Sequence, residues 1–223
     1  MYFKTWNYFF IAVFFVALLM ISNTVAVKVI DIGSFTVTGA IFIFPFTYIL
    51  SDILTEVYGY RGSRPIIWAG FCAIVFMAIM YTLVKILPAA SFWKEQESFE
   101  IILGQVPRIV IASLLGYLAG SFSNSFILSR MKVWMKGKYL FVRTIGSTII
   151  GEGVDSIIFV LVGFAGIIPD ANLMSVIISS YLIKLAIEVL VTPITYKAVA
   201  YLKAKENIDT YDTDISYNPF KLK

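Results

Sequence analysis

The chain carries six apolar runs, each about as long as a bilayer is thick, and five ionisable residues lie inside them: Asp52, Glu152, Asp155, Lys184 and Glu188. A spanning helix needs about 20 apolar residues. Backbone in lipid must satisfy its own hydrogen bonds, which restricts the fold to helices or a closed barrel. A charge near the bilayer centre costs about 2.5–3.5 kcal/mol on the insertion scale, so such residues face a bundle interior and pair or bind something there. The predicted fold class is all-α: a polytopic membrane protein of six transmembrane helices with a polar site among them.

Composition removes whole classes of chemistry. With 59% hydrophobic residues and a mean hydropathy of +0.85, an ordinary soluble domain would have an apolar surface. The chain has no histidine and one cysteine, Cys72. Histidine proton relays, haem ligation by histidine, Ser-His hydrolase sites, metalloprotease motifs and cysteine-based metal sites are thereby excluded, and no cofactor or metal is expected. The net charge of +4 does not point to nucleic acid, because the basic residues concentrate in short loops beside the spans.

The expected spans are 6–27, 37–57, 65–87, 106–129, 144–168 and 171–202, forming one transmembrane domain over 1–202. The remainder, 203–223, reads as a polar, mobile cytoplasmic tail. Lys and Arg divide thirteen to four between the two sides, which places both termini in the cytoplasm. Pro45 falls in mid-span and is expected to kink the second helix. Ser22-Asn23 near the end of the first span matches Ser123-Asn124 near the end of the fourth, and the second and fifth spans each hold an acidic pair. This pattern fits a 3+3 inverted repeat, a common transporter architecture with its site at the repeat interface.

Helix spacing collects the polar residues into stripes, because residues four apart share a face. Tyr48, Asp52 and Glu56 align in the second span, Thr148, Glu152 and Ser156 in the fifth with Asp155 beside them, and Ser180, Lys184, Glu188 and Thr192 in the sixth. Pointing all three at one cavity gives one cation, several carboxylates and an excess of negative charge. Such a site suits a ligand's donors, a cation or a proton. Asn124 continues a small-residue face with Ala112, Gly116 and Gly120 and is either helix–helix glue or a ligand contact. Phe46, Tyr48 and Trp68 are candidates for stacking on a flat ligand. Glu56, Arg108 and Glu188 are candidates for a gating or structural charge network. Lys184 and Glu188 could also neutralise each other as an i,i+4 pair. An enzyme reading is weak: Gly151-Glu-Gly-Val-Asp155 resembles the Gly-x-Gly-Asp signature of intramembrane aspartyl proteases, but its aspartate is one position late and Asp52 follows Ser51 instead of tyrosine.

These segments also resemble the queuosine precursor transporters, known too as vitamin uptake transporters. The resemblance rests on Ser22-Asn23-Thr24, on Phe46-Thr-Tyr-Ile-Leu-Ser-Asp52-Ile-Leu-Thr-Glu56-Val-Tyr-Gly59, on Gln105-Val-Pro-Arg108-Ile-Val-Ile-Ala-Ser113, on the basic loop 132–143, and on Gly146-Ser-Thr148 with Gly151-Glu-Gly-Val-Asp155-Ser156. It implies a bacterial inner-membrane protein of six helices that imports 7-deazapurines: 7-cyano-7-deazaguanine, 7-aminomethyl-7-deazaguanine or queuine. The substrate-binding residues expected on this reading are Asn23, Phe46, Tyr48, Asp52, Asn124, Glu152, Asp155 and Lys184. The partners are the small molecule and the lipid bilayer, with homo-oligomer formation left open. Two alternatives stand beside it. A substrate-binding subunit of an energy-coupling vitamin importer would need a small-residue docking motif, and the first span has no Ala-xxx-Ala. An intramembrane enzyme or receptor would carry these charges for structure.

Overall fold

The computed structural model describes residues 5–32, 35–104, 107–166 and 169–221. Lys4, Lys223, Val106 and Ile168, used above for orientation and span ends, lie outside the described residues. The elements run α1 (Trp6–Val25), a hairpin of β1 (Val29–Ile32) and β2 (Phe35–Thr38), a 3-10 turn (Gly39–Phe42), α2 (Phe44–Ile86), α3 (Gln96–Leu103), α4 (Pro107–Trp134), α5 (Leu140–Phe164) and α6 (Asp170–Glu206). Five helices, α1, α2, α4, α5 and α6, are long and apolar enough to cross a membrane.

The hairpin corrects the all-α expectation locally. Val29 pairs with Thr38 and Ile32 with Phe35, antiparallel. The segment is rich in β-branched residues, which suit a pleated strand better than a helix start. The second helix therefore begins at Phe44 instead of residue 37, and Pro45 falls in its first turn. A proline there forfeits only an N–H that has no intrahelical partner, so the expected mid-span kink does not form.

At 43 residues, α2 would run about 65 Å if straight, twice the hydrocarbon thickness. It is interrupted at Gly59, whose backbone has φ +75° and ψ 174°. This conformation is essentially restricted to glycine. Contacts with α1 show what the interruption does. Near the start of α1, the Tyr8 hydroxyl donates to the Gly62 carbonyl at 2.8 Å and the Tyr8 ring meets Tyr58 edge-on. Just beyond the end of α1, the Lys28 carbonyl accepts from the Gly39 amide, five residues before α2, at 2.7 Å, and Thr24 of α1 meets Tyr81 at 3.1 Å. Both ends of α2 thus lie toward the end of α1 and Gly59 lies toward its beginning: α2 doubles back into two arms.

The small-residue face of α4 packs on α5. A Cβ added at Gly116 would lie 2.7 Å from Asp155 Oδ1, one at Gly120 2.9 Å from the Gly151 carbonyl, and one at Gly151 2.7 Å from Asn124 Cβ. Larger residues would push the helices apart and with them the acidic residues of α5.

Beyond α6, residues 207–221 contradict the expectation of a mobile tail. Arg64 Nη1 donates to the Ser216 and Asn218 carbonyls at 3.1 and 2.8 Å, Trp68 Nε1 to Pro219 at 2.9 Å, and the Tyr60 hydroxyl to Tyr217 at 3.0 Å. The segment is polar, but its backbone carbonyls satisfy buried donors at the bend of α2. That pairing holds it down.

Candidate functional site

Four helices bring one polar side chain after another into the interior. From the first arm of α2 come Tyr48 and Asp52, from α4 Asn124, from α5 Glu152 and Asp155, and from α6 Lys184 and Glu188. Asn124 Nδ2 donates to Asp52 Oδ1 at 2.9 Å, linking α4 to α2. Tyr48 of α2 faces Glu152 of α5. Lys184 lies 3.1 Å from Glu152 Oε2 and forms a shorter ion pair with Asp155 Oδ2, linking α6 to α5. The lysine is therefore neutralised from α5, not by its own i,i+4 neighbour. Glu188 is fully buried, and neither of its oxygens receives a hydrogen bond from the described residues.

The unused acceptors define what this interior can do. Asp52 Oδ2 and Asn124 Oδ1 are both enclosed without a hydrogen-bond partner among the described residues, although the two side chains are bonded to each other. Unmet buried acceptors cost on the order of 1–3 kcal/mol each, more when charged. Together they offer two acceptors, one of them a carboxyl oxygen, to a molecule that presents N–H donors.

A second polar centre lies at the bend of α2. Glu56, fully buried, accepts from both terminal nitrogens of Arg143, at 3.1 Å from Nη2, and lies 2.6 Å from Lys203 and 3.5 Å from Lys132. Asp209 of the tail bridges the same two lysines, at 2.5 Å from Lys132 and 2.9 Å from Lys203. Burial works against the ionised form of Asp209, but hydrogen bonds from Lys132 and Lys203 outweigh it and hold the carboxyl below its usual range. Glu56 is thus a node of a charge network rather than a solvated interfacial residue.

Other expected residues fall elsewhere. Phe46 is more than half exposed and lines an outward apolar groove of about 240 Å³ with Phe10, Phe14, Leu18 and Ile49, so it does not stand over the acidic residues. An aromatic on the lipid side of α2 is the ordinary result of a helix with one polar stripe. Arg108 makes no ion pair among the described residues. It donates to the Val162 and Ala165 carbonyls at 2.6 Å and so satisfies the end of α5. Asn23 Oδ1 accepts from Ser113 at 3.2 Å and ties α1 to α4. Trp68 is committed to the tail. Sequence reasoning missed Lys132, Arg143 and Lys203, because basic residues beside spans were read only for orientation, and Asp209, because it lies in the segment read as a mobile tail. The signal was Glu56, an acid one turn from Asp52 that needed cations from other helices.

Comparison with known proteins bears on these residues. A family model described as "Putative vitamin uptake transporter" matches residues 38–198. A "Probable queuosine precursor transporter" of Bacillus subtilis (strain 168) is 28% identical over 178 residues, covering 79% of this chain and 78% of that protein. The "Queuosine precursor transporter" of Escherichia coli (strain K12) is 23% identical over 156 residues, covering 70% of this chain and 68% of that protein. No solved structure matches. The matched region contains every named residue of the first centre and Glu56, Lys132 and Arg143 of the second, Lys203 and Asp209 lying beyond it, and on that coverage the chain belongs to the vitamin uptake transporter family: it is a multi-pass membrane transporter and not an enzyme.

Proposed function

We propose that this protein imports 7-deazapurine precursors of queuosine, the class that includes 7-cyano-7-deazaguanine, 7-aminomethyl-7-deazaguanine and queuine, across a bacterial inner membrane. The names of the two relatives support the class. In this reading the two arms of α2 cross the membrane separately, which makes six passes over 1–202, and the basic residues at the bend of α2 face the cytoplasm together with both termini and the tail. The two sets of three helices are inverted repeats, with Asn23 and Asn124 as counterparts. Superposing residues 1–100 on 101–205 tests that symmetry, and helices α1 and α4 that fail to overlay would remove it.

The observation that carries the substrate reading is the Asp52–Asn124 pair with its two unmet acceptors. A guanine-like edge presents adjacent N–H donors. A carboxylate accepts them in charge-assisted bonds about twice as strong as neutral ones. Tyr48, one turn before Asp52 and facing Glu152, supplies the aromatic surface nearest this pair along its helix, and stacking on a base is worth about 1–3 kcal/mol in other systems. Lys184, Glu152 and Asp155 form the opposite wall. Uptake of labelled 7-deazapurines by cells lacking their own importer tests the reading. Expression of this chain should restore uptake of at least one of the three, and no uptake of any of them at confirmed membrane abundance would refute it.

A further inference from the structure

Glu56 stands one turn beyond Asp52 on the same face of α2, about 6 Å nearer the bend. A substrate that leaves Asp52 toward the bend meets Glu56 and its cations first. Those cations come from three helices: Lys132 from α4, Arg143 from α5 and Lys203 from α6. Glu56, Lys132 and Arg143 are all buried, so the bend end of the site is shut. The tail lies over the same cluster. It continues α6, yet both arms of α2 bind it: the Thr210 amide donates to the Val57 carbonyl at 3.3 Å, and Tyr60, Arg64 and Trp68 hold the rest. Two of its acids reach back to the other helices. Asp209 bridges Lys132 and Lys203, and Asp212 accepts from Ser129, whose hydroxyl also meets that of Tyr217 at 3.1 Å. The tail therefore straps the bend of α2 to the ends of α4 and α6.

We propose that Glu56 and the strap of residues 207–221 form the gate at the bend end of this transporter. It opens when Glu56 parts from its three cations and the strap lets go of α4 and α6 while staying on α2. The proposal rests on the transport reading above and adds its moving part. What each set of contacts leaves behind decides where the strap divides. If it left α2, the buried Tyr60 amide and the buried Arg64 would lose their acceptors inside a helix pair that stays packed. Asp209 is exposed, and water entering the opened end solvates it together with the two lysines and Glu56. The charged contacts are thus the ones that can be exchanged for water, and they are the ones that cross from α2 and the tail to α4, α5 and α6.

Thr55, next to Glu56, donates to Ser125 of α4 at 3.0 Å, close enough for a disulfide between the same two positions. Thr55→Cys with Ser125→Cys, in a Cys72→Ser background that removes the native thiol, staples α2 to α4 beside the gate. Purified protein in liposomes, with labelled and unlabelled 7-cyano-7-deazaguanine on opposite sides, reports exchange. The oxidised staple should stop exchange while the protein still binds the probe, and reduction should restore it. The wild type gives a second reading. Lys132, buried beneath Asp209, should react with a water-soluble amine reagent supplied on both sides during exchange, with the exposed Lys136 as reference and mass spectrometry reading both. Exchange that continues through a complete staple would overturn the gate and leave the transport reading standing, as would a Lys132 that stays unmodified while probe exchanges and Lys136 reacts. No exchange by the wild type would overturn both. If the cysteine pair does not assemble or does not bind the probe, Lys132 decides alone.

Discussion

The Asp212 carboxylate accepts a hydrogen bond from the Tyr60 amide at 2.7 Å, across 152 positions of sequence. Tyr60 follows the bend at Gly59 and opens the second arm of α2, so a residue of the tail supplies the N-terminal cap that a helix normally finds in its own preceding residue. Ser129 of α4 donates to the same oxygen at 2.6 Å. Asp212→Ala removes a charged cap, leaves the buried Tyr60 amide unmet and takes from Ser129 one of its two partners, the other being the Tyr217 hydroxyl at 3.1 Å, which should cost about 1–3 kcal/mol. Thermal unfolding in detergent should show the loss, with Asp212→Asn closer to wild type. Equal midpoints for all three proteins would mean that the cap is dispensable.

Gly59 is constrained twice. Its φ of +75° suits only glycine, and a Cβ there would lie 2.7 Å from Asp212 Oδ1. Gly59→Ala should therefore destabilise by more than the about 1–3 kcal/mol of the backbone strain alone, and Gly59→Ala combined with Asp212→Ala should cost less than the sum of the two. Strict additivity of the two losses would show that the bend and the tail do not touch in solution.

Breaking the Glu56 network should be severe. Glu56→Gln removes a negative charge from among Arg143, Lys132 and Lys203, and unpairing a buried ion costs about 3–5 kcal/mol. Membrane abundance should fall sharply, and Arg143→Lys should not substitute well because a lysine cannot bond both carboxylate oxygens as the guanidinium does. Normal abundance of Glu56→Gln would show that Asp209 suffices to balance the lysines.

Tail docking should depend on pH with a definite sign. The Asp209 carboxyl in the folded protein lies below its usual value near 3.8. A depressed acid contributes stability that is present above its unfolded value and lost as pH falls through the folded one. Amide exchange over 207–221 should thus accelerate below about pH 4 and stay slow above it. Asp209→Asn should exchange faster even at neutral pH and lose this acid step; an unchanged profile in that variant would assign the step to another group.

Much of this architecture could be read before any coordinates. Asp52, Glu152, Asp155, Lys184 and Glu188 stood out because apolar neighbours make a charge conspicuous, and the Gly116–Gly120 face because its spacing matches a helix. The partners could not be read. Spacing put Lys184 beside Glu188, but α5 offers it two acids at once, and only packing decides between an intrahelical and an interhelical pair. The bend was expected as a loop over 58–64 and is instead confined to Gly59, since one glycine outside helical geometry suffices to reverse the chain. The tail was least legible, because it is held by its backbone carbonyls, and every sequence has those.

In the proposed mode of binding, Asp52, held by Asn124, reads the N–H edge of a deazapurine. Its most direct test is calorimetric binding of 7-cyano-7-deazaguanine to purified wild type and Asp52→Asn. Loss of a charged hydrogen-bond partner is worth about 1.5–3 kcal/mol, or about ten- to a hundredfold in Kd. Asp52→Asn should show that weakening at an unchanged thermal midpoint, with adenine failing to compete in either protein. Equal affinity of the two proteins for the ligand would contradict it.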